Sequence, residues 1–399
     1  MGLEKNHIKL GFVPLADAAP LIVARDRGFF ALQGLDVELS REASWSSIRD
    51  KVAVGALDGA HMLAPMPLEA TLGLGNCCAP VITALGLNTG GNAITLDADL
   101  FARVAAKDAK GEATAAGLKA VIDDNRAQGG DPFSFAVVYP FSSHAYELRY
   151  WMASGGIDPE HDVRLVVVPP PQMVANLSAG RIQGYCVGEP WNAVAVSLGV
   201  GKVVVSSSQI WGGRLEKVLG VREDWADANP HTHKALIKAL LLACQWADQP
   251  ENRAEVAELM SAPGIVNAPL NILGRVLADT DGLVFQRHAA TFPWRSQALW
   301  YLTQMCRWGQ LGTGVDLRRA ADRAYRSDIY RLAALELDWA VPLTDAKSEG
   351  RHSAPWTLTE ATKPIDMGPD AFIDGAVFDP DSLASTQVPV MGKSTGKDI

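Results

Sequence analysis

HIKLGFVPLADAAPLIVARDRGFFALQGLDVELS, residues 7–40, reads as strand, helix, strand. From His7 to Val13 apolar and polar residues alternate as they do in a half-buried strand. Pro14 and Asp17 form the following turn. Pro20 opens a helical run that ends at Gly34, where a C-cap glycine belongs. Leu35 to Ser40 is the next strand. SWSSIRDKVAVGAL, residues 44–57, continues as an amphipathic helix with Ser44 as its N-cap. DGAHMLAPMP, residues 58–67, is a short strand leading into a loop. Strands alternating with helices in this way predict a parallel sheet with helices packed on it.

VITALGLNTGGNAITL, residues 81–96, is an extended apolar run broken at Gly90 and Gly91, as suits a crossing out of one lobe. Residues 102–129 are Ala- and Lys-rich and read as helical. FAVVYP, residues 135–140, starts a new strand, and SSHAYELRYWMAS, residues 142–154, is a helix closed by Gly155 and Gly156. VRLVVVPP, QMVANLSAG and IQGYCVGEPW, within residues 163–191, repeat strand, helix, strand. A second α/β lobe is therefore expected over residues 100–220, and LEKVLGVRE (215–223) returns the chain to the first lobe. That first lobe is expected to comprise residues 1–99 and 221–340, the later part helical. Residues 341–399, rich in Pro, Gly, Ser and Asp, are expected to form an extended tail over the surface. Two lobes joined by two crossings make a cleft at the carboxyl ends of the strands, where such sheets bind ligands.

Composition narrows the functional classes. The 399 residues are 48% hydrophobic and 20% charged, with a formal net charge of -9. No run of five Lys or Arg occurs, which disfavours direct nucleic-acid binding. No apolar stretch approaches the roughly 20 residues of a membrane helix, and the first strand begins almost at residue 1, with no secretory pattern before it. Five cysteines, Cys77, Cys78, Cys186, Cys244 and Cys306, include no CxxC pair. They read as small apolar side chains of a reducing compartment. There is no P-loop, HExxH or nucleophile elbow, so an enzyme is not expected.

The segments ASWSSIRD (43–50), YPFSSH (139–144), RYWMASGGIDP (149–159), VVVPPPQMVANL (166–177), GYCVGEPWN (184–192) and LEKVLGV (215–221) together resemble the NrtA/CmpA-type nitrate- and bicarbonate-binding proteins of bacterial ABC transporters. The resemblance extends over nearly the whole chain, including FIDGAVFDP (372–380). It implies a two-lobe, type II periplasmic-binding-protein-like α/β fold with a cleft, a hinge, and a helical and coil C-terminal extension. It also implies a ligand slot made by Trp45, His144 and Lys217 as donors, walled by Pro170, Val187 and Gly188. Asn92 falls where a glutamine is expected in transport members and would supply a shorter amide donor. Glu189, beside the wall, is a possible metal ligand of the bicarbonate-binding kind, but Lys217 would supply the positive charge without a metal, and no cofactor is implied.

Nitrate accepts hydrogen bonds and donates none, so its slot should offer donors and a cation, with no free carboxylate turned inward. Lys217→Ala is expected to weaken binding strongly without unfolding the protein. The start of the chain points to a cytoplasmic nitrate/nitrite sensor of the NasS type. Such a sensor holds an RNA-binding antiterminator of the NasT type when empty and releases it on binding, so that the two binding events oppose each other. The alternative is a periplasmic substrate-binding subunit of a nitrate or bicarbonate ABC transporter.

Overall fold

In the computed structural model, which describes residues 2–76 and 79–383, the chain runs through thirteen strands. They are β1 (His7–Phe12), β2 (Asp36–Arg41), β3 (Gly59–Leu63), β4 (Val81–Gly90), β5 (Asn92–Asp97), β6 (Ser134–Val137), β7 (Arg164–Val167), β8 (Gly184–Gly188), β9 (Gly201–Ser206), β10 (Leu215–Arg222), β11 (Leu283–Val284), β12 (Trp356–Leu358) and β13 (Ile365–Met367). The first sheet has the order β11-β4-β10-β3-β1-β2 and the second β7-β6-β8-β5-β9. Each sheet is mixed, not parallel throughout. β1 pairs in parallel with β2 and β3, whereas β10 is antiparallel to both β3 and β4. In the second sheet β6 is parallel to β7 and β8, and β5 is antiparallel to β8 and β9. A strand that arrives from the other lobe has to enter against its neighbours, and both β5 and β10 do so.

Sheet membership places the crossings earlier than the sequence boundaries at 99/100 and 220/221. β4 ends at Gly90 in the first sheet and β5 begins at Asn92 in the second, so one residue, Gly91, makes the first crossing. The return runs from the end of β9 at Ser206 to the start of β10 at Leu215, and β10 belongs wholly to the first sheet. Hydropathy is continuous from 81 to 96 because both strands are buried, and this hides the boundary.

Glycine is required at the first crossing. Gly90 has φ 73° and Gly91 φ 87°, where a Cβ is strained. A Cβ on Gly90 would also lie 2.5 Å from the Gly282 carbonyl oxygen, which itself accepts the Gly91 N–H at 2.7 Å. Gly90→Ala is expected to cost about 1–3 kcal/mol. Urea unfolding checks this, and an unchanged midpoint contradicts it.

Local signals hold at several helix starts. Ser44 Oγ accepts the Ser47 N–H and caps the helix Trp45–Ala53. The run after Pro20 is interrupted instead of continuous: helix Ala19–Asp26 stops, Gly28 turns left-handed at φ 76°, and a single turn, Phe29–Leu32, follows. From Pro230 to Leu335 the chain is mainly helical and covers the first sheet.

The described part of the tail runs to Leu383 and packs over the second crossing. Phe372 stacks on Trp211 at 4.7 Å, Ile373 N–H donates to the Ile210 carbonyl at 2.9 Å, and the Tyr150 hydroxyl of the second lobe donates to Asp374 at 2.9 Å. Glu349, fully buried, anchors the tail through Ser296 and Lys347. Residues 384–399, part of the expected tail, and the pair Cys77 and Cys78 lie outside the described residues.

Candidate functional site

Three backbone positions aim side chains into the space between the sheets. The turn after β1 supplies Asp17, the N-terminus of helix Trp45–Ala53 supplies Trp45, and β10 supplies Lys217. From the second lobe the helix Ser143–Ser154 adds His144 in its first turn. Ser142 fixes that turn by accepting the Ala145 N–H at 3.0 Å while its own hydroxyl donates to the Tyr139 carbonyl at 2.6 Å. Trp45, His61, His144, Glu216 and Lys217 have no exposed surface, and Asp17 has almost none.

Lys217 is the centre of the arrangement. Its Nζ lies 2.6 Å from Asp17 Oδ2 and 2.6 Å from Glu216 Oε1, and 5.7 Å from the Trp45 ring centroid. His61 Nε2 is 3.0 Å from Asp17 Oδ1, and the His61 and Trp45 rings are 5.4 Å apart. His144 Nδ1 is 3.6 Å from Glu216 Oε1. A second group adjoins this one. The Arg214 guanidinium pairs with Glu147 and Glu216 and donates to the Tyr301 hydroxyl at 2.9 Å. Glu147 accepts from Asn92 Nδ2 at 3.0 Å.

Burial and pairing set the charges. Burial works against the Lys217 ammonium, yet Asp17 and Glu216 hold its pKa above the usual lysine value. Burial likewise opposes ionisation of Asp17, but Lys217 and His61 keep it below the carboxylate range, and Glu216 is held well below by Lys217 and Arg214. Burial pushes His144 down to about 3, so its imidazole is neutral near pH 7. Burial raises Glu147 to about 6 against the pull of Arg214. Glu189 is raised to about 7 by burial, and its Oε2 accepts the Ala193 N–H at 3.1 Å.

Of the residues expected in the slot, Trp45 lies beside Lys217, and His144 and Lys217 both approach Glu216 Oε1. Gly188 faces the same cluster: a Cβ there would stand 3.4 Å from both Asn92 Oδ1 and Asp17 Oδ2. Val187 is buried at the end of β8, where its carbonyl accepts from Asn192. Pro170 is buried where a short 3-10 turn follows β7. One expectation is corrected. Asn92 does not offer its amide N–H₂ to the slot, because Glu147 takes it; the atom left without a hydrogen-bond partner among the described residues is the acceptor Oδ1. Two carboxylates, Asp17 and Glu216, do flank the lysine, but both are engaged in ion pairs with it.

Sequence reading missed Asp17, His61, Glu216, Arg214 and Glu147. Asp17 looked like a turn residue and His61 like a strand position. Alternation puts Glu216 and Lys217 on opposite faces of a strand, but the β10–β4 register shifts between Leu215 and Lys217, and the two side chains meet. The one available signal was the density of charge in RLEK, residues 214–217, inside an otherwise apolar strand.

Two α/β lobes with a fully buried polar cluster between their sheets are the arrangement of a solute-binding protein. The chain belongs to the NMT1-like family, whose model matches residues 1–261, and within it to the group that includes the nitrate-binding protein NrtA. The crystal structure of the periplasmic nitrate-binding protein NrtA from Synechocystis PCC 6803 superposes with a TM-score of 0.82 at 33% identity, covering 96% of this chain and 97% of that one. The nitrate import ATP-binding protein NrtC of Synechocystis sp. is 40% identical over 357 residues, 85% of this chain and 51% of that protein. The bicarbonate transport ATP-binding protein CmpC of the same organism is 41% identical over 355 residues, with the same two shares. The chain thus spans about half the length of these two relatives. Its family is one of substrate-binding proteins and not of enzymes.

Proposed function

We propose that this chain is the ligand-binding unit of an ABC transport system for a small planar oxyanion, nitrate or nitrite. One observation carries the reading: three buried donors with capacity to spare lie in one cluster around Lys217 and Glu216. Trp45 Nε1 and His144 Nε2 are buried with no hydrogen-bond partner among the described residues. Lys217 has three N–H donors and two facing carboxylates, leaving one. Three donors suit the three oxygens of nitrate. Buried donors left unpaired cost about 1–3 kcal/mol each, and an anion that satisfies all of them recovers that cost. Similarity to proteins named for nitrate and bicarbonate transport supports the same class of ligand.

Bicarbonate competes for the same slot. The contacts of His144 Nδ1 are long, 3.5 Å to Ser143 Oγ and 3.6 Å to Glu216. The ring can therefore carry its proton on Nε2 and donate to nitrate, or on Nδ1 and accept from a bicarbonate hydroxyl. Calorimetric titration with nitrate, nitrite and bicarbonate decides between them. Tight binding of bicarbonate alone rejects nitrate as the ligand. Trp45→Phe keeps the ring and removes one donor, so it is expected to weaken nitrate about tenfold, a loss of about 1.4 kcal/mol. Equal affinity in that variant removes Trp45 from the site.

A second reading keeps the same ligand and changes its use. It rests on the resemblance to sensors of the NasS type, whereas the 40–41% identity to half of two chains named for nitrate import and bicarbonate transport supports the transport subunit. In this second reading the chain is a cytoplasmic sensor whose empty form holds an antiterminator of the NasT type. Fractionation of the native organism tests it: recovery of the protein from the periplasm supports the transport subunit and rejects the sensor.

A further inference from the structure

The buried polar cluster contains five groups that carry charge when ionised: Asp17, Glu147 and Glu216 as anions, Lys217 and Arg214 as cations. All five are almost completely buried, 0–2% exposed, and they form one connected network of ion pairs through Glu216. With every member charged, the network has three negative charges against two positive, a net of -1. A bound nitrate would bring it to -2 with no water to screen it, and uncompensated buried charge costs several kcal/mol. The fold either leaves that cost in place or takes up a proton.

We propose that this chain binds its anion together with one proton, and that Glu147 is the carboxylate that receives it. The inference rests on the oxyanion reading above and adds a second ligand to it. The step balances simply: a solvent proton adds to a carboxylate oxygen of Glu147 as the anion enters, and both leave together.

Geometry selects Glu147 among the three carboxylates. Asp17 is shared by Lys217 and His61, and Glu216 by Lys217, Arg214 and the Ser143 hydroxyl at 2.7 Å. Either would lose two strong partners on protonation. Glu147 has one cation, Arg214, and that cation keeps Glu216, the Tyr301 hydroxyl and the Leu215 carbonyl if Glu147 is neutralised. Across Arg214 it faces the charged Glu216, which also favours its neutral form; its remaining neighbours among the described residues are neutral, the Asn92 amide from β5 at 3.0 Å and the Cys186 thiol from β8 at 3.6 Å, a thiol that burial holds well above its usual pKa. Burial also raises Tyr301, from the helix Arg295–Arg307, so that it stays protonated. Glu147 lies one helical turn beyond His144 and holds Asn92, whose Oδ1 faces the slot, so its charge is felt by a bound anion. It is a positioning and charge-balancing residue, not a direct ligand.

The direction follows from linkage. Glu147 in the empty protein titrates at about 6, and a nearby anion raises that value further. Between the two values binding takes up a proton. Nitrate affinity is therefore expected to fall as pH rises above about 6, by up to about tenfold per pH unit, and to be level at lower pH.

The test is nitrate calorimetry across pH 5.5–8.5 in pairs of buffers with different ionisation heats, which counts protons directly. Uptake approaching one proton near pH 7, lost in Glu147→Gln with a flat pH profile, supports the proposal. Glu189→Gln serves as the control for the other high-titrating carboxyl and is expected to keep the uptake. Nitrate binding without proton uptake overturns the proposal and leaves the oxyanion reading standing. Uptake that persists in Glu147→Gln overturns it too, by assigning the proton to His144 or another group. No binding of nitrate or nitrite at any pH overturns both. Where Glu147→Gln does not fold, the infrared difference spectrum of wild-type protein decides: a carboxylic-acid band gained on nitrate addition supports protonation, and its absence rejects it.

Discussion

Lys217→Ala is expected to lose about 3–5 kcal/mol of stability and all measurable oxyanion binding. The stability loss is the larger surprise from a sequence viewpoint, where a single lysine in LEKVLGV reads as a ligand that can be removed without harm to the fold. The structure changes that expectation. The ammonium is fully buried between Asp17 and Glu216 at 2.6 Å from each. Truncation leaves two carboxylates out of water with a cation removed from between them. Glu216 keeps Arg214 and Ser143, but among the described residues Asp17 keeps only the neutral His61. Adding Asp17→Asn to Lys217→Ala is therefore expected to recover part of the stability without restoring binding. Urea unfolding of the two single variants and the double variant measures the coupling. A Lys217→Ala protein with the wild-type midpoint would show that the ammonium is not held as described.

Much of the architecture was legible because it depends on local pattern. The alternation from His7, the Ser44 cap, and the glycine pair at 90 and 91 all follow from short-range rules, and each stands where expected. What was not legible depends on pairing between distant segments. The antiparallel entry of β10 between β3 and β4 joins residues about 125–160 positions apart, and no local periodicity records it. The site divides in the same way. Trp45, His144 and Lys217 could be picked out through resemblance, and the fold sets Trp45 beside Lys217 and both Lys217 and His144 beside Glu216. The carboxylates that hold the lysine could not, since Asp17 sits in an apparent turn and Glu216 reaches its partner only through a register shift in β10. Asn92 shows the limit most clearly. Its identity as an amide was readable, but which end of that amide faces the slot is set by Glu147, 55 residues away.

Arg214→Met should cost about as much as the lysine change, about 3–5 kcal/mol near pH 8, but the loss should depend on pH. Arg214 is fully buried and is the sole cation facing Glu147 among the described residues; it also pairs with Glu216. Methionine fills similar volume and leaves both carboxylates without the guanidinium. Their folded pKa values then rise. A carboxyl whose folded pKa is raised above its unfolded value contributes stability below the unfolded value and loses it as pH climbs through the folded one. Glu147 is already above its ordinary 4.5, at about 6, with Arg214 present, and without it the value moves higher. The variant's deficit should accordingly be small near pH 5, grow through pH 6–8 and level off above that. Glu147→Gln in the same chain removes the titrating group, so the double variant should lose most of the pH dependence while keeping the part due to Glu216. Unfolding midpoints of wild type, Arg214→Met and the double variant at pH 5 and pH 8 supply the comparison. A deficit that is equal at both pH values would mean that the arginine acts through packing and hydrogen bonding to Tyr301 alone. Glu147 would then have no reason to gain a proton when a further negative charge enters the same enclosure.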